Sequence, residues 1–181
     1  MRMILTAWFL VVATCAGAQP VEELKRPGVV ALMRHALAPG TGDPAAFELG
    51  DCSTQRNLDE RGRAQARRTG EALRAEGVEF DAVWTSQWCR TRETARLLEL
   101  GTPQAKPPLN SFFAGRGSRT RQTQATRELI AALPPDARVL IVTHQVNITA
   151  LTGRGVRSGE IVVTRRTGDG LETVASYLIA P

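Results

Sequence analysis

Lysine is nearly missing from this chain. Of 23 basic residues only Lys25 and Lys106 are lysine, so the basic set is almost entirely arginine, the better residue for bidentate contacts to oxyanions. Histidine occurs twice and cysteine three times, with no Cys-x-x-Cys pair, which leaves little from which to build a zinc site. There is no carboxylate cluster of the kind that holds Mg²⁺. No dense basic run is interleaved with aromatics, so the net charge of +5 does not indicate a nucleic-acid partner. It favours anionic partners more generally. Repeats and internal linkers are also absent. With 181 residues, 43% of them hydrophobic and 23% charged, the chain has the size and composition of one folded domain with a core.

The longest apolar run lies at the N-terminus. Arg2 precedes an apolar stretch over residues 4–13, and Ala16-Gly17-Ala18 forms a small-residue cleavage site before Gln19. This pattern is expected to be a cleavable signal peptide, residues 1–18, leaving a domain over 19–181 that is periplasmic or secreted. The run is shorter than the roughly 20 apolar residues of a spanning helix, so no stable membrane insertion is expected. An uncleaved anchor and lipidation of Cys15 are alternatives, although Thr14 fits a lipidation site poorly. After cleavage Cys52 and Cys89 remain, an even pair compatible with one disulfide in an oxidising compartment or with two buried thiols.

The patterning predicts strands over Val29–Arg34, 81–85 and 138–143, with a long loop over 36–57 between the first strand and the first helix. Asn57 and Glu60 have capping-box spacing and open a helix through about residue 75. Ser86 is placed to cap a helix over 87–100. A Pro-rich connection spans 103–108, helices follow over 119–133 and 145–152, and 160–166 with 171–179 reads as a terminal hairpin. The order predicts an α/β fold: three layers, a mostly parallel sheet with helices on both faces, and a C-terminal antiparallel hairpin.

Both histidines stand directly after fully apolar strands, His35 after "VVALMR" and His144 after "RVLIVT". In parallel α/β sheets ligands bind beyond the carboxyl ends of the strands, so His35, Arg34 and His144 are expected to converge. Arg90 lies in the first turn of the helix after the second strand, where a cation opposes the helix dipole unless an anion is bound. Arranged around a phosphoryl group, the arginines supply charge stabilisation and a neutral imidazole supplies a nucleophile. Nearby guanidinium groups disfavour the imidazolium, and no metal or other cofactor is then needed.

The segments "LMRHA", "NLDERG", "SQWCRTRETA" and "VTHQ" together resemble the histidine phosphatase (phosphoglycerate mutase-like) superfamily, over most of residues 28–152. The resemblance implies His35 as the phosphohistidine nucleophile, with Arg34, Arg90, His144 and Gln145 binding phosphate. The chain looks most similar to the small exported members of that superfamily, including those that act on lipopolysaccharide heptose phosphates, and to small phosphohistidine phosphatases. The implied partner is a small phosphorylated substrate such as an envelope sugar phosphate. Two departures stand out. Ala36 replaces a glycine, and "LNSFF" has Ser111 where many relatives carry a general-acid glutamate. Serine is a poor proton donor at neutral pH, which leaves Asp51, Glu48 and Asp43 of the long loop as candidates. A non-catalytic anion-binding domain of the same fold is the competing expectation. Arg116, Arg119 and Arg121 suit either a second anionic group or a solvated face. A Cys52–Cys89 bond would pin the loop against the helix that presents Arg90.

Overall fold

A computed structural model describes residues 20–168 and 170–181. The expected signal peptide, residues 1–18, lies outside the described residues. Six strands form one sheet: β1 (Val29–Arg34), β2 (Ala82–Thr85), β3 (Pro103–Ala105), β4 (Val139–Thr143), β5 (Ile161–Thr167) and β6 (Gly170–Tyr177), in the order β3-β2-β4-β1-β5-β6. The first four are mutually parallel, whereas β5 runs antiparallel to β1 and makes the C-terminal hairpin with β6. Among the described residues the α-helices are α1 (Pro20–Leu24), α2 (Glu60–Ala75), α3 (Cys89–Leu98), α4 (Arg119–Ala131) and α5 (Gln145–Thr152).

The fully apolar strands are apolar because both faces of the sheet are covered. Alternate residues point to opposite faces: Val29, Ala31 and Met33 join Leu24, Leu73, Ala95 and Leu98 of α1–α3, while Val30 and Leu32 meet Ile130 of α4 and Ile148 and Leu151 of α5. Each fully buried Leu or Ile contributes about 1.5–3 kcal/mol from removal of its side chain from water. Helix α2 approaches its neighbours so closely at Gly62 and Gly70 that a Cβ there would strike the Leu37 and Leu98 carbonyl oxygens. The first contact seats the segment just after His35 against the helix.

Several boundaries differ from the sequence reading. Asp59, not Asn57, caps α2, its carboxylate accepting the Gly62 N–H at 2.8 Å. Asn57 instead donates to the Cys52 and Gln55 carbonyls of the loop. Ser86 is not the N-cap of α3; that position belongs to Trp88, whose side chain makes no capping bond. Helix α1 and strand β3 were not anticipated. The latter sits at the sheet edge with Pro103 as its first residue, a position where the missing N–H costs no ladder bond.

Candidate active site

Parallel pairing sets Arg34 opposite Thr143, so the next residues, His35 and His144, leave adjacent central strands side by side. Their rings lie 5.6 Å apart between centroids, edge to face. Both are buried, at 2% and 3% exposure. They line a cavity of about 190 Å³ together with Arg34, Arg56, Arg90 and Asp43. Gln145 and Ser111 also line it, so the structure brings together every histidine, arginine and glutamine expected at the site.

The hydrogen bonds fix the two rings in complementary tautomers. His35 Nδ1 lies 2.8 Å from the Ala36 carbonyl, an acceptor only, so Nδ1 carries the proton and Nε2 keeps its lone pair. His144 Nδ1 faces the Arg90 guanidinium at 3.4 Å, a donor only, so its proton sits on Nε2 and is given to Ser86 Oγ at 2.8 Å. The Ser86 hydroxyl also accepts the Trp88 N–H and bonds the Thr91 hydroxyl. Thr94 accepts the Ala36 N–H and donates to the Arg90 carbonyl, tying α3 to the segment after β1. Burial, then the charges of Arg90, Arg56 and Arg34, hold His35 well below the ordinary imidazole range. Burial and Arg90 act likewise on His144, with His35 adding to them.

Arg90 is 3% exposed and forms a two-pronged pair with Asp43, NH1 to Oδ1 at 2.6 Å and NH2 to Oδ2 at 3.2 Å. Trp88 Nε1 and the Arg56 backbone N–H donate to the same carboxylate. Burial alone would push the Asp43 carboxyl up, but the bonds from Arg90 and Trp88 outweigh it and hold the group below the ordinary carboxylate range. The Nε–H groups of Arg34 and Arg90 are buried without a partner among the described residues, so each guanidinium retains a donor for an anionic ligand.

Of the loop carboxylates, only Asp43 reaches the cavity. Asp51 is exposed and caps the short 3₁₀ turn Cys52–Thr54 through Ser53, and exposed Glu48 also lies away from the lining. Neither is brought to the site. Arg56 is the residue that sequence reasoning missed. Its guanidinium donates to the Ala38 and Gly42 carbonyls and so shapes the loop, and burial with the Arg90 charge lowers its pKa to about 10. Nothing in "TQRNL" distinguishes it from a solvated arginine. Ser111 is presented because Asn110 is clamped by reciprocal bonds to Gln87 and Leu109 is fully buried. Arg116 packs over the Phe47 ring, while Arg119 and Arg121 are exposed on α4.

Cys52 and Cys89 form a disulfide with Cα atoms 5.7 Å apart, joining the loop to the first residue of α3. A wider cleft of about 590 Å³ opens beside this bond, lined by Arg63, Arg92 and Arg96 among others, but it contains neither histidine.

Imidazoles with opposite tautomers are ringed by arginines at the carboxyl edge of the parallel sheet of an α/β protein, which makes the cavity a cationic one with two unprotonated ring nitrogens. Residues 30–116 match the family model of the histidine phosphatase superfamily (branch 1). No curated protein sequence matches it. Among solved structures, the protein histidine phosphatase SixA in complex with tungstate is 19% identical, with a TM-score of 0.59 over 83% of this chain and 96% of that one. The mycobacterial glucosyl-3-phosphoglycerate phosphatase Rv2419c is 18% identical, with a TM-score of 0.57 over 86% and 98%. An Escherichia coli K-12 protein proposed to be an α-ribazole-5′-phosphate phosphatase is 17% identical, with a TM-score of 0.61 over 86% and 97%. At these identities the likeness is one of fold.

Proposed function

We propose that the protein is an exported phosphatase that hydrolyses a phosphomonoester or related phosphoryl compound through a phosphohistidine on His35, without a metal ion. The observation that carries this reading is the tautomer of His35, whose bond to the Ala36 carbonyl leaves Nε2 unprotonated inside an arginine-lined cavity. Arg34 and Arg90 stabilise the charge on the transferring phosphoryl oxygens. His144 adds its Nδ1 side of the pocket, oriented by Ser86, and Gln145 contacts the bound group from the start of α5. Export is supported by the signal-peptide pattern and by a disulfide suited to an oxidising compartment. Envelope sugar phosphates are therefore the first substrates to test, beside phosphoramidates.

The competing reading is an anion-binding domain without turnover, favoured by Ser111 at the position of the expected acid. Rapid quenching with a ³²P-labelled aryl phosphate separates the two. A phosphatase gives acid-labile, alkali-stable label on His35, and His35→Ala loses the label and about 10⁴-fold or more of the rate while melting as a folded protein. Binding of phosphate with no label and no turnover would establish the binding module instead.

A further inference from the structure

The cavity holds one carboxylate that this scheme leaves idle. Asp43 is the carboxylic acid among its lining residues, and its oxygens occupy the two terminal nitrogens of Arg90, the face an arginine offers to a phosphoryl group. Substrate phosphate and the Asp43 carboxylate therefore compete for one guanidinium. We propose that Asp43 is the proton donor to the leaving group, freed for that task when the substrate's phosphoryl group takes Arg90. The inference rests on His35 acting as the nucleophile.

The displaced carboxylate loses Arg90, the foremost of the partners that held it ionised, and gains a phosphate dianion as its neighbour. Both changes favour its protonated form. Arg34, Arg56, Arg90, His35 and His144 are the other charged or titratable groups of the pocket, and Arg90, whose charge stabilised the carboxylate, is then engaged by the substrate. Gly40 and Gly42, both at positive φ (86° and 73°), lie just before Asp43, where the backbone bends without a side-chain penalty. Ser111, on the same wall, has no acidic proton to give at neutral pH.

The chemistry balances in two steps. Asp43 takes one proton from solvent as the dianion binds. His35 Nε2 then forms the N–P bond while the ester P–O bond breaks, and the leaving oxygen departs as an alcohol with the Asp43 proton. Water next attacks phosphorus, its proton returns to the Asp43 carboxylate, and the P–N bond breaks to give hydrogen phosphate and neutral His35.

The test compares an alkyl phosphate with p-nitrophenyl phosphate, whose leaving group needs no proton. Asp43→Asn is expected to lower kcat on the alkyl ester roughly 10²–10⁴-fold and on the aryl ester by no more than about tenfold, with Asp43→Glu restoring part of the alkyl activity. Equal losses on both esters, or a gain on both, overturn the proposal and make Asp43 a simple occupant of Arg90. Should the variants not fold, the wild-type pH profiles decide. A kcat that falls with rising pH for the alkyl ester alone supports a proton donor, and parallel profiles overturn it. Histidine labelling by the aryl ester is read alongside. Its absence from the wild-type protein overturns the nucleophile itself, whereas its persistence in Asp43→Asn with slow alkyl turnover isolates the acid.

Discussion

One wall of the pocket is made by strand ends and helix starts, the other by the loop over 36–57, and the two are held in different ways. On the first wall, His35 and His144 are fixed by backbone register and by neutral hydrogen bonds to the Ala36 carbonyl and the Ser86 hydroxyl. Their surroundings are the sheet core, so they stay in place whatever occupies the cavity. On the second wall, Asp43 and Arg56 have no regular element beneath them. They are held by ion pairing, by loop carbonyls, by the bond that the Cys89 N–H donates to Gln55 Oε1, and by the disulfide. A nucleophile needs a fixed position, whereas groups that must yield to a phosphoryl group need partners that can be exchanged. The difference between the walls follows that division of labour.

Cutting the disulfide should separate the walls with the largest effect. It closes a loop of 37 residues in sequence, which in the chain-entropy model is worth about 4 kcal/mol before any native strain. Cys52→Ser with Cys89→Ser, or reduction, should lower the denaturant midpoint accordingly. It should also raise the inhibition constant of vanadate, because α3 and the loop lose their common anchor. Labelling of His35 at saturating aryl phosphate should survive, since β1 is untouched. Two free thiols on titration of the denatured, unreduced protein would remove the premise.

Acid should distinguish the walls with a smaller effect. Both histidines are buried neutral and held well below 6.5, so as pH falls below about 6.5 the unfolded chain binds protons that the folded protein does not. Stability should then decline by roughly 1.4 kcal/mol per pH unit per histidine until their folded pKa values are reached. Asp43 has the opposite habit. Its folded value lies below 3.8, so its contribution is complete above that value and is lost only as pH falls through the depressed one. Urea denaturation should show two separate windows, the strand-end wall failing first. A curve flat from pH 7 to pH 5 would contradict two uncharged buried histidines.

The same contrast governs what could be read in advance. The strand-end wall is legible because five consecutive buried residues on each of two strands give way to a histidine, directly on β4 and after Arg34 on β1, and parallel register does the rest. The mixed sheet follows from the same apolar runs. Loop residues carry no period. Asp43 was one of three equivalent carboxylates until folding placed it on Arg90, and Arg56 looked like any surface arginine. Polar residues near a helix start were misassigned for a related reason. Asn57, Asp59 and Ser86 can all cap, and tertiary partners decide: Asn57 serves the Cys52 carbonyl, Ser86 serves His144, and Asp59 is left to close the helix.

The smallest expected effect is that of metal removal, and it bears on both walls at once. Phosphoryl chemistry needs positive charge on the equatorial oxygens, which a divalent cation or a set of guanidinium groups can supply. Here Arg34, Arg56 and Arg90 already converge on the cavity, and a cation entering it would meet three like charges. Its one carboxylate is engaged by Arg90 and would have to leave that pair to become a ligand. His35 Nε2 and His144 Nδ1 keep their lone pairs, but His144 Nδ1 faces the Arg90 guanidinium at 3.4 Å, so a cation reaching both nitrogens would sit against that charge. EDTA should therefore leave kcat and KM for an aryl phosphate unchanged, while vanadate, an oxyanion that fits the arginine set, inhibits competitively. Loss of activity in EDTA that Mg²⁺ or Zn²⁺ restores would mean that the arginine wall is not the source of charge stabilisation.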